Sequence, residues 1–357
     1  MSDRINDYKS NIWKLYFFQF LLGFHFFSGV LIPFFTLWGG LTLSQVMILE
    51  SIFMFSLFLF ETPTGAIADR FGRKISIMLA SVFFTIGFLV YASYPNFYVF
   101  ALAEAILGLS VSLISGANEA LAYDTLKKIK KEKESKRIFK NFETAYLLAI
   151  LISAPIGGFL AYYIGMREIM LASAIPSFIG IFVALSIKEP DFVVKKKEKK
   201  GYFKILSSGI NYFRKHTVLK YLAFDAITIA LIVYYIIWLY QPKLMAFNLP
   251  IVYFGIVHSL IVIAELLVLS RMAYFEKLTG KKNYLFFSSL IVGVGFILLA
   301  ITRNVYVAIA LILIVGGVGL TRKTLFNSYY NKYIDSKNRA TVLSTISMTQ
   351  RFFQGIF

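Results

Sequence analysis

The 357-residue chain has no cysteine, which excludes disulfides, thiolate metal sites and cysteine nucleophiles together. Its three histidines, at 25, 216 and 258, are too scattered for a sequence-local metal motif. Charge is scarce: 16% of residues are Asp, Glu, Lys or Arg, where a soluble domain carries about 25%. Acids are the scarcer kind, 19 against 37 Lys and Arg. No phosphate-binding loop of the form G-x-x-x-x-G-K-[ST] occurs, which argues against an ATP-driven pump. No His/Glu metal spacing or serine–base arrangement stands out, so neither an enzyme nor a cofactor is expected. What remains is apolar: 58% hydrophobic and 17% aromatic, with mean hydropathy +0.70. Lipid is the solvent that such a composition fits.

A membrane-crossing helix takes about 20 apolar residues. Stretches of that kind run over about 12–38, 43–64, 75–93, 97–124, 141–164, 168–187, 218–242, 251–272, 284–302, 304–330 and 340–357. The expectation is an all-α membrane protein with eleven spans, numbered here in chain order. Residues 1–14 are polar and lead into an apolar run without a small-residue cleavage site, so they read as a retained tail.

The connections between spans alternate in charge. Those after even-numbered spans are basic: Arg70, Arg73 and Lys74; eight Lys and Arg over 127–140; ten over 188–220; and further groups over 271–282 and 322–339. Those after odd-numbered spans are short and hold only Arg167, Lys243 and Arg303. Positive residues stay in the cytoplasm, which puts the N-terminus inside. The net charge of +18 is on this reading an orientation signal. It does not point to nucleic acid, because it is split among membrane-bounded loops.

The longest polar connection, 188–217, carries Lys195-Lys196-Lys197-Glu198-Lys199-Lys200 and then an amphipathic stretch over 202–213 suited to an anionic membrane surface. It divides the chain into an expected six-helix bundle (1–187), a basic linker (188–217) and a second bundle (218–357). The two parts resemble each other. Ala68-Asp69-Arg70-Phe71-Gly72-Arg73-Lys74 has a worn counterpart in Phe275-Glu276-Lys277-Leu278-Thr279-Gly280-Lys281-Lys282, and each sits between the second and third spans of its part. Internal duplication about a linker is a common transporter architecture.

Gly65-Ala66-Ile67-Ala68-Asp69-Arg70-Phe71-Gly72-Arg73-Lys74 is similar, position for position, to the loop motif G-x-x-x-D-R-x-G-R-[KR] of the major facilitator superfamily. The resemblance covers essentially the whole chain at the level of helix order. It implies two pseudo-symmetric six-helix bundles and a gating role for Gly65, Asp69, Arg70, Gly72, Arg73 and Lys74. In the family, the aspartate at the position of Asp69 docks on the N-terminus of the eleventh helix and pairs with the second motif arginine, here Arg73. An acid at the inner end of span 4, best matched by Asp124, joins that network. Family antiporters tend to carry G-P-x-x-G-G in the fifth helix. Here Ala154-Pro155-Ile156-Gly157-Gly158 keeps Pro155, Gly157 and Gly158 but is one residue short and lacks the first glycine.

Ionisable side chains inside a membrane cost several kcal/mol and so mark pathways or pairs, at roughly 2.5–3.5 kcal/mol each on insertion scales. Spans 3, 6 and 9 carry no Asp, Glu, Lys, Arg, His, Asn or Gln in their cores and are expected to face only lipid. The polar load falls on the others. The candidates for a substrate or proton site are His25, Glu104, Glu119, Asp225, His258, Glu265 and Arg322; Glu50 and Arg351 are also intramembrane. His258 and Glu265 share a helix face, and Glu104, Ser115 and Glu119 lie within about 60° on span 4 if that span is one helix.

The function expected from this resemblance is secondary transport of a small molecule by alternating access, proton-coupled and outward, in the plasma membrane and as a monomer. Uptake by proton symport is the alternative, and a receptor that kept the fold is a distant one. A six-plus-six arrangement would also require a twelfth span beyond Phe357, so the second bundle is expected to be incomplete.

Overall fold

In this computed structural model residues 2–190, 211–212, 216–334 and 339–356 are described, and every regular element among them is helical. The helices are α1 (Ser2–Gly23), α2 (Leu43–Phe71), α3 (Arg73–Tyr91), α4 (Phe97–Ile114), α5 (Ala117–Lys128) and α6 (Ser135–Tyr163). They continue as α7 (Met166–Ser186), α8 (Thr217–Ala246), α9 (Val252–Thr279), α10 (Lys281–Ile301), α11 (Val305–Tyr333) and α12 (Arg339–Ile356). The chain divides into two compact units, Met1–Lys197 with Ile251–Ile256, and Glu198–Pro250 with Val257–Phe357. The amphipathic stretch expected over 202–213 lies outside the described residues, apart from Asn211 and Tyr212.

Nine helical stretches among the described residues are long and apolar enough to cross a membrane, against the eleven expected, and the shortfall lies in the first and last spans. The first span is not one helix. α1 begins at Ser2, so the polar tail is itself helical, and it stops at Gly23. Residues 24–30 leave helical geometry before Leu31–Pro33 and a π-helical turn at Phe34–Trp38. Pro33 explains part of this, because it cannot donate to the carbonyl four residues back and its ring crowds that group. Gly23 and Gly29 weaken the helix on either side of the gap. The freed backbone finds partners: Phe26 N–H donates to Ser173 Oγ at 3.0 Å and Val30 N–H to the Phe27 carbonyl at 2.9 Å.

The fourth span also breaks. Gly116, at φ +76°, separates α4 from α5, a left-handed conformation that suits glycine. Glu104, Ser115 and Glu119 therefore do not share one helix face. Glu104 is buried in α4, whereas Glu119 is exposed in the first turn of α5.

Spans 3, 6 and 9 (α3, α7 and α10) were expected to face only lipid, and that expectation fails through serine. Ser76 of α3 donates to the Leu113 carbonyl at 2.6 Å, Ser173 of α7 accepts from Phe26, and Ser288 and Ser289 of α10 meet the charged groups described below. A hydroxyl is small enough to disappear in a hydropathy profile and still bind across a helix interface.

Each unit repeats the same punctuation. Gly72 at φ +100° ends α2, and Gly280 at φ +79° ends α9. Asn96 Oδ1 accepts the Tyr98 N–H at 2.8 Å to start α4, and Asn304 Oδ1 accepts the Tyr306 N–H at 2.9 Å to start α11. Gly108 lets α4 approach Ser56 of α2, and Gly316 lets α11 approach Ile261 of α9. The spacing is the same in every case, so the duplication reaches well beyond the loop motif.

Candidate functional site

The loop between α2 and α3 is held by a carboxylate from far along the chain. Glu189, just past α7, accepts the backbone N–H of Arg73 at 3.0 Å and that of Lys74 at 2.7 Å. It caps the first turn of α3, where free N–H groups and the helix dipole favour an anion. Gly72 is needed twice over, for its positive φ and because a Cβ there would press on the Glu189 carboxylate. The Arg73 guanidinium turns the other way, onto α5, where it pairs with Asp124 and donates to the Ala120 carbonyl at 3.0 Å. Lys74 Nζ reaches the Leu185 carbonyl at 2.6 Å. Arg70 lies over the Phe71 ring, and Asp69 is exposed on the last turn of α2, close enough for its charge to act on Arg73.

Asn11 completes this end of the first unit. Fully buried in α1, it receives the Lys188 N–H at 3.0 Å and donates to the Lys188 carbonyl at 2.8 Å. Neither Asn11 nor the capping role of Glu189 was read from the sequence. The legible signal was Glu189-Pro190: an acid beside a helix-stopping proline at the same end of the bundle as the motif loop.

Deeper in the first unit, the gap in the first span places His25 beside Ser28, with Nδ1 and Oγ 2.7 Å apart, and stacks its ring on Phe27 at 4.2 Å. The gap rests on α6. Gly157 leaves no room for a Cβ against the Phe26 carbonyl, and Gly158 is buried beside it in the same helix, which runs unbroken through Pro155.

In the second unit Arg322 of α11, 4% exposed, binds Asp225 of α8 at 2.8 Å. It also donates to the Leu285 carbonyl at 3.0 Å and to Ser288, while Ser289 donates to Asp225 at 3.4 Å. The Arg322 Nε is buried without an acceptor among the described residues. Arg322, Tyr234, Phe326 and Gln350 line a cavity of about 190 Å³ between α8, α11 and α12. His258 of α9 lies elsewhere in this unit, with Nδ1 2.9 Å from the Tyr240 hydroxyl, which also accepts from Gln241 at 3.0 Å. Glu265 is half-buried on the same helix, two turns on.

The sequence profile of the Major Facilitator Superfamily matches residues 14–357. The chain belongs to the Major Facilitator Superfamily. That superfamily is one of multi-pass membrane proteins, in keeping with the apolar helices described above. Among curated relatives, "Multidrug resistance protein MdtG" of Klebsiella pneumoniae is 27% identical over 174 residues, 48% of this chain and 39% of that one. A "D-xylose transporter" of Levilactobacillus brevis is 30% identical over 136 residues, 37% of this chain and 28% of that one. The chain thus matches these relatives over well under two thirds of their length. The crystal structure of the nucleoside transporter NupG superposes with a TM-score of 0.75, covering 98% of this chain and 88% of that one at 16% identity, a likeness of fold alone.

In this superfamily member, then, the residues expected in the gating loop and those expected in the interior fall into separate groups. Arg73, Asp124, Gly72 and Lys74 come together with Glu189; Asp225 and Arg322 come together with Ser288 and Ser289. His25 stands in the gap of the first span, Glu104 on α4 and Glu119 on α5.

Proposed function

We propose that this chain is the membrane-embedded body of a secondary transporter that exports a small, partly hydrophobic molecule in exchange for protons. It works in the plasma membrane as a monomer, N-terminus inside, and alternates a binding site between the two faces. The observation that carries this reading is the clasp of Gly72, Arg73, Asp124 and Glu189. A loop that only set topology would need its positive charges in water, whereas here Arg73 is held in an ion pair and the backbone of Arg73 and Lys74 by a capping carboxylate. Export is favoured by relatives named as multidrug resistance proteins. Uptake is the second reading, supported by the relative named as a xylose transporter and by the departure at Ala154-Pro155-Ile156-Gly157-Gly158 from the antiporter pattern.

The test is movement of ethidium out of loaded cells that express the chain, and of radiolabelled xylose into them, with and without a protonophore. Ethidium export abolished by the protonophore is the expected result. Xylose accumulation with the same sensitivity would replace export by uptake, and no gradient-dependent movement of either would sink the transporter reading.

Within this reading Asp69 holds the cytoplasmic gate. Asp69→Asn should insert and fold normally yet slow ethidium export by roughly 2–30-fold, the equivalent of the roughly 0.3–1 kcal/mol, rising to about 2 kcal/mol when partly buried, that a carboxylate gains at a helix N-terminus. Unchanged turnover at equal membrane abundance would remove Asp69 from the gate.

A further inference from the structure

Glu50 and Glu104 lie in the first unit, apart from the clasp and from the gap in the first span. Glu50 on α2 is 7% exposed and Glu104 on α4 is 6% exposed. The two helices run side by side in the same direction: Gly108 abuts Phe53 and Ser56, and Thr64 shares a 2.7 Å hydrogen bond with Ser112. That register sets Glu104 level with Glu50, close enough for its charge to act on Glu50. Tyr91, at the end of α3, hydrogen-bonds Glu104. Its ring also meets Phe34, Phe35 and Phe100 at centroid distances of 5.8, 5.7 and 5.6 Å. Two of those rings belong to the π-helical turn, a geometry concentrated at functional sites. The carboxyl pair therefore sits beneath an aromatic cover of which Tyr91 is a part.

The charged and titratable groups on the packed elements are few. α3 brings Tyr91, with Arg73 and Lys74 at its opposite end. From the start of α7, Arg167 Nε donates to the Ala92 carbonyl at 2.8 Å, next to Tyr91. On α2 itself the next acid is Glu61, eleven residues and about 16 Å along the axis.

The internal repeat shows that the fold does not require Tyr91 or Glu104. Setting Gly72 on Gly280 and Asn96 on Asn304 sets Glu50 on His258, Tyr91 on Leu299 and Glu104 on Ile312. Leu299 and Ile312 are both buried, so the second unit fills the equivalent place with two apolar side chains. A phenol and a carboxyl are kept in the first unit for something other than packing. Burying two carboxylates together costs several kcal/mol per ion, roughly, before their mutual repulsion is counted. One proton shared by the pair removes both penalties.

We propose that Glu50 and Glu104 together hold one exchangeable proton, and that its binding and release drive the transport cycle. The proposal deepens the proton-coupled reading above and rests on it. A hydronium ion from one face gives up its proton, an O–H bond forms on one carboxyl oxygen, and the carboxyl–carboxylate pair carries a single negative charge. When the aromatic cover moves, taking Tyr91 with it, that O–H bond breaks and the proton passes to water.

The experiment is an infrared pH titration of the full chain in lipid vesicles, following the C=O band of protonated carboxyl groups. It is run beside protonophore-sensitive ethidium export on the wild type, Glu50→Gln, Glu104→Gln and the double variant Tyr91→Leu/Glu104→Ile. The double variant installs the side chains that the second unit already packs, so its thermal unfolding should match the wild type. One carboxyl band that titrates in the wild type should vanish in all three variants, and export should lose its dependence on the proton gradient. An unchanged band in Glu50→Gln and Glu104→Gln would overturn the site. Displacement of the proton by sodium at fixed pH would make it a metal-cation site and also overturn it. Loss of the band with gradient-driven export intact would overturn the coupling. A wild type that exports no ethidium would count against the transport reading, and the band alone would then decide whether the proton site exists.

Discussion

Asp225→Ala, made alone, is expected to destabilise the second unit by about 3–5 kcal/mol, the usual effect of stripping a buried charge of its partner. Arg322 is 4% exposed, and its Nε is buried without an acceptor among the described residues. Asp225 is the carboxylate that offsets the guanidinium charge, while Ser288 and the Leu285 carbonyl supply only dipoles. Because the fault is an uncompensated cation, the double variant Asp225→Ala/Arg322→Met should recover most of the loss. Thermal unfolding of the full chain in detergent measures both. A double variant no more stable than the single one would show that the pair is not the source of the effect. The same bond bears on chemistry: of the pathways or pairs that intramembrane charges mark, Asp225 and Arg322 form a pair.

The second large effect is expected at Gly157. A Cβ there collides with the Phe26 carbonyl, and that segment cannot simply retreat, because the Phe26 N–H is held by Ser173 on α7. Overpacking of this kind costs about 1–3 kcal/mol or more, so Gly157→Ala should lower the unfolding temperature and reduce transport together. Gly293 is the matched control. It lies inside α10 with nothing within 4 Å of a Cβ, and Gly293→Ala should be neutral or stabilising by up to about 1 kcal/mol through helix propensity. Equal effects at the two positions would mean that loss of a helical glycine matters and the contact with Phe26 does not.

Much of the architecture was open to inspection in the sequence, and for a definite reason. Lipid imposes helices of fixed minimum length, and their loops sort by charge, so spans and repeats leave one-dimensional traces. The Asp69–Lys74 motif was legible because a short loop keeps sequence neighbours together, whereas Asp124, far along the chain on α5, was supplied only by the family resemblance. The gap at 24–30 was not legible. Phe24, Phe26 and Phe27 are as apolar as any helix core, and what breaks the helix is Pro33 ahead of it and a serine hydroxyl from α7. The Gly116 break hid in the same way, since glycine inside an apolar run is compatible with a continuous span. Ser288 and Ser289 escaped notice because a hydropathy reading counts charges and amides while a buried arginine counts any oxygen. Glu50 was seen as an intramembrane acid, but its pairing with Glu104 depends on the register between two helices far apart along the chain.

The clasp at Glu189 also has a mechanical meaning. Lys188 and Glu189, which Asn11 and the start of α3 hold, lie just ahead of the segment that joins α7 to α8. The basic run Lys195-Lys196-Lys197-Glu198-Lys199-Lys200 begins only six residues further on. Tension applied along that segment arrives first at the two backbone hydrogen bonds of Arg73 and Lys74. Glu189 is therefore the anchor through which a pull on the linker would reach the motif loop.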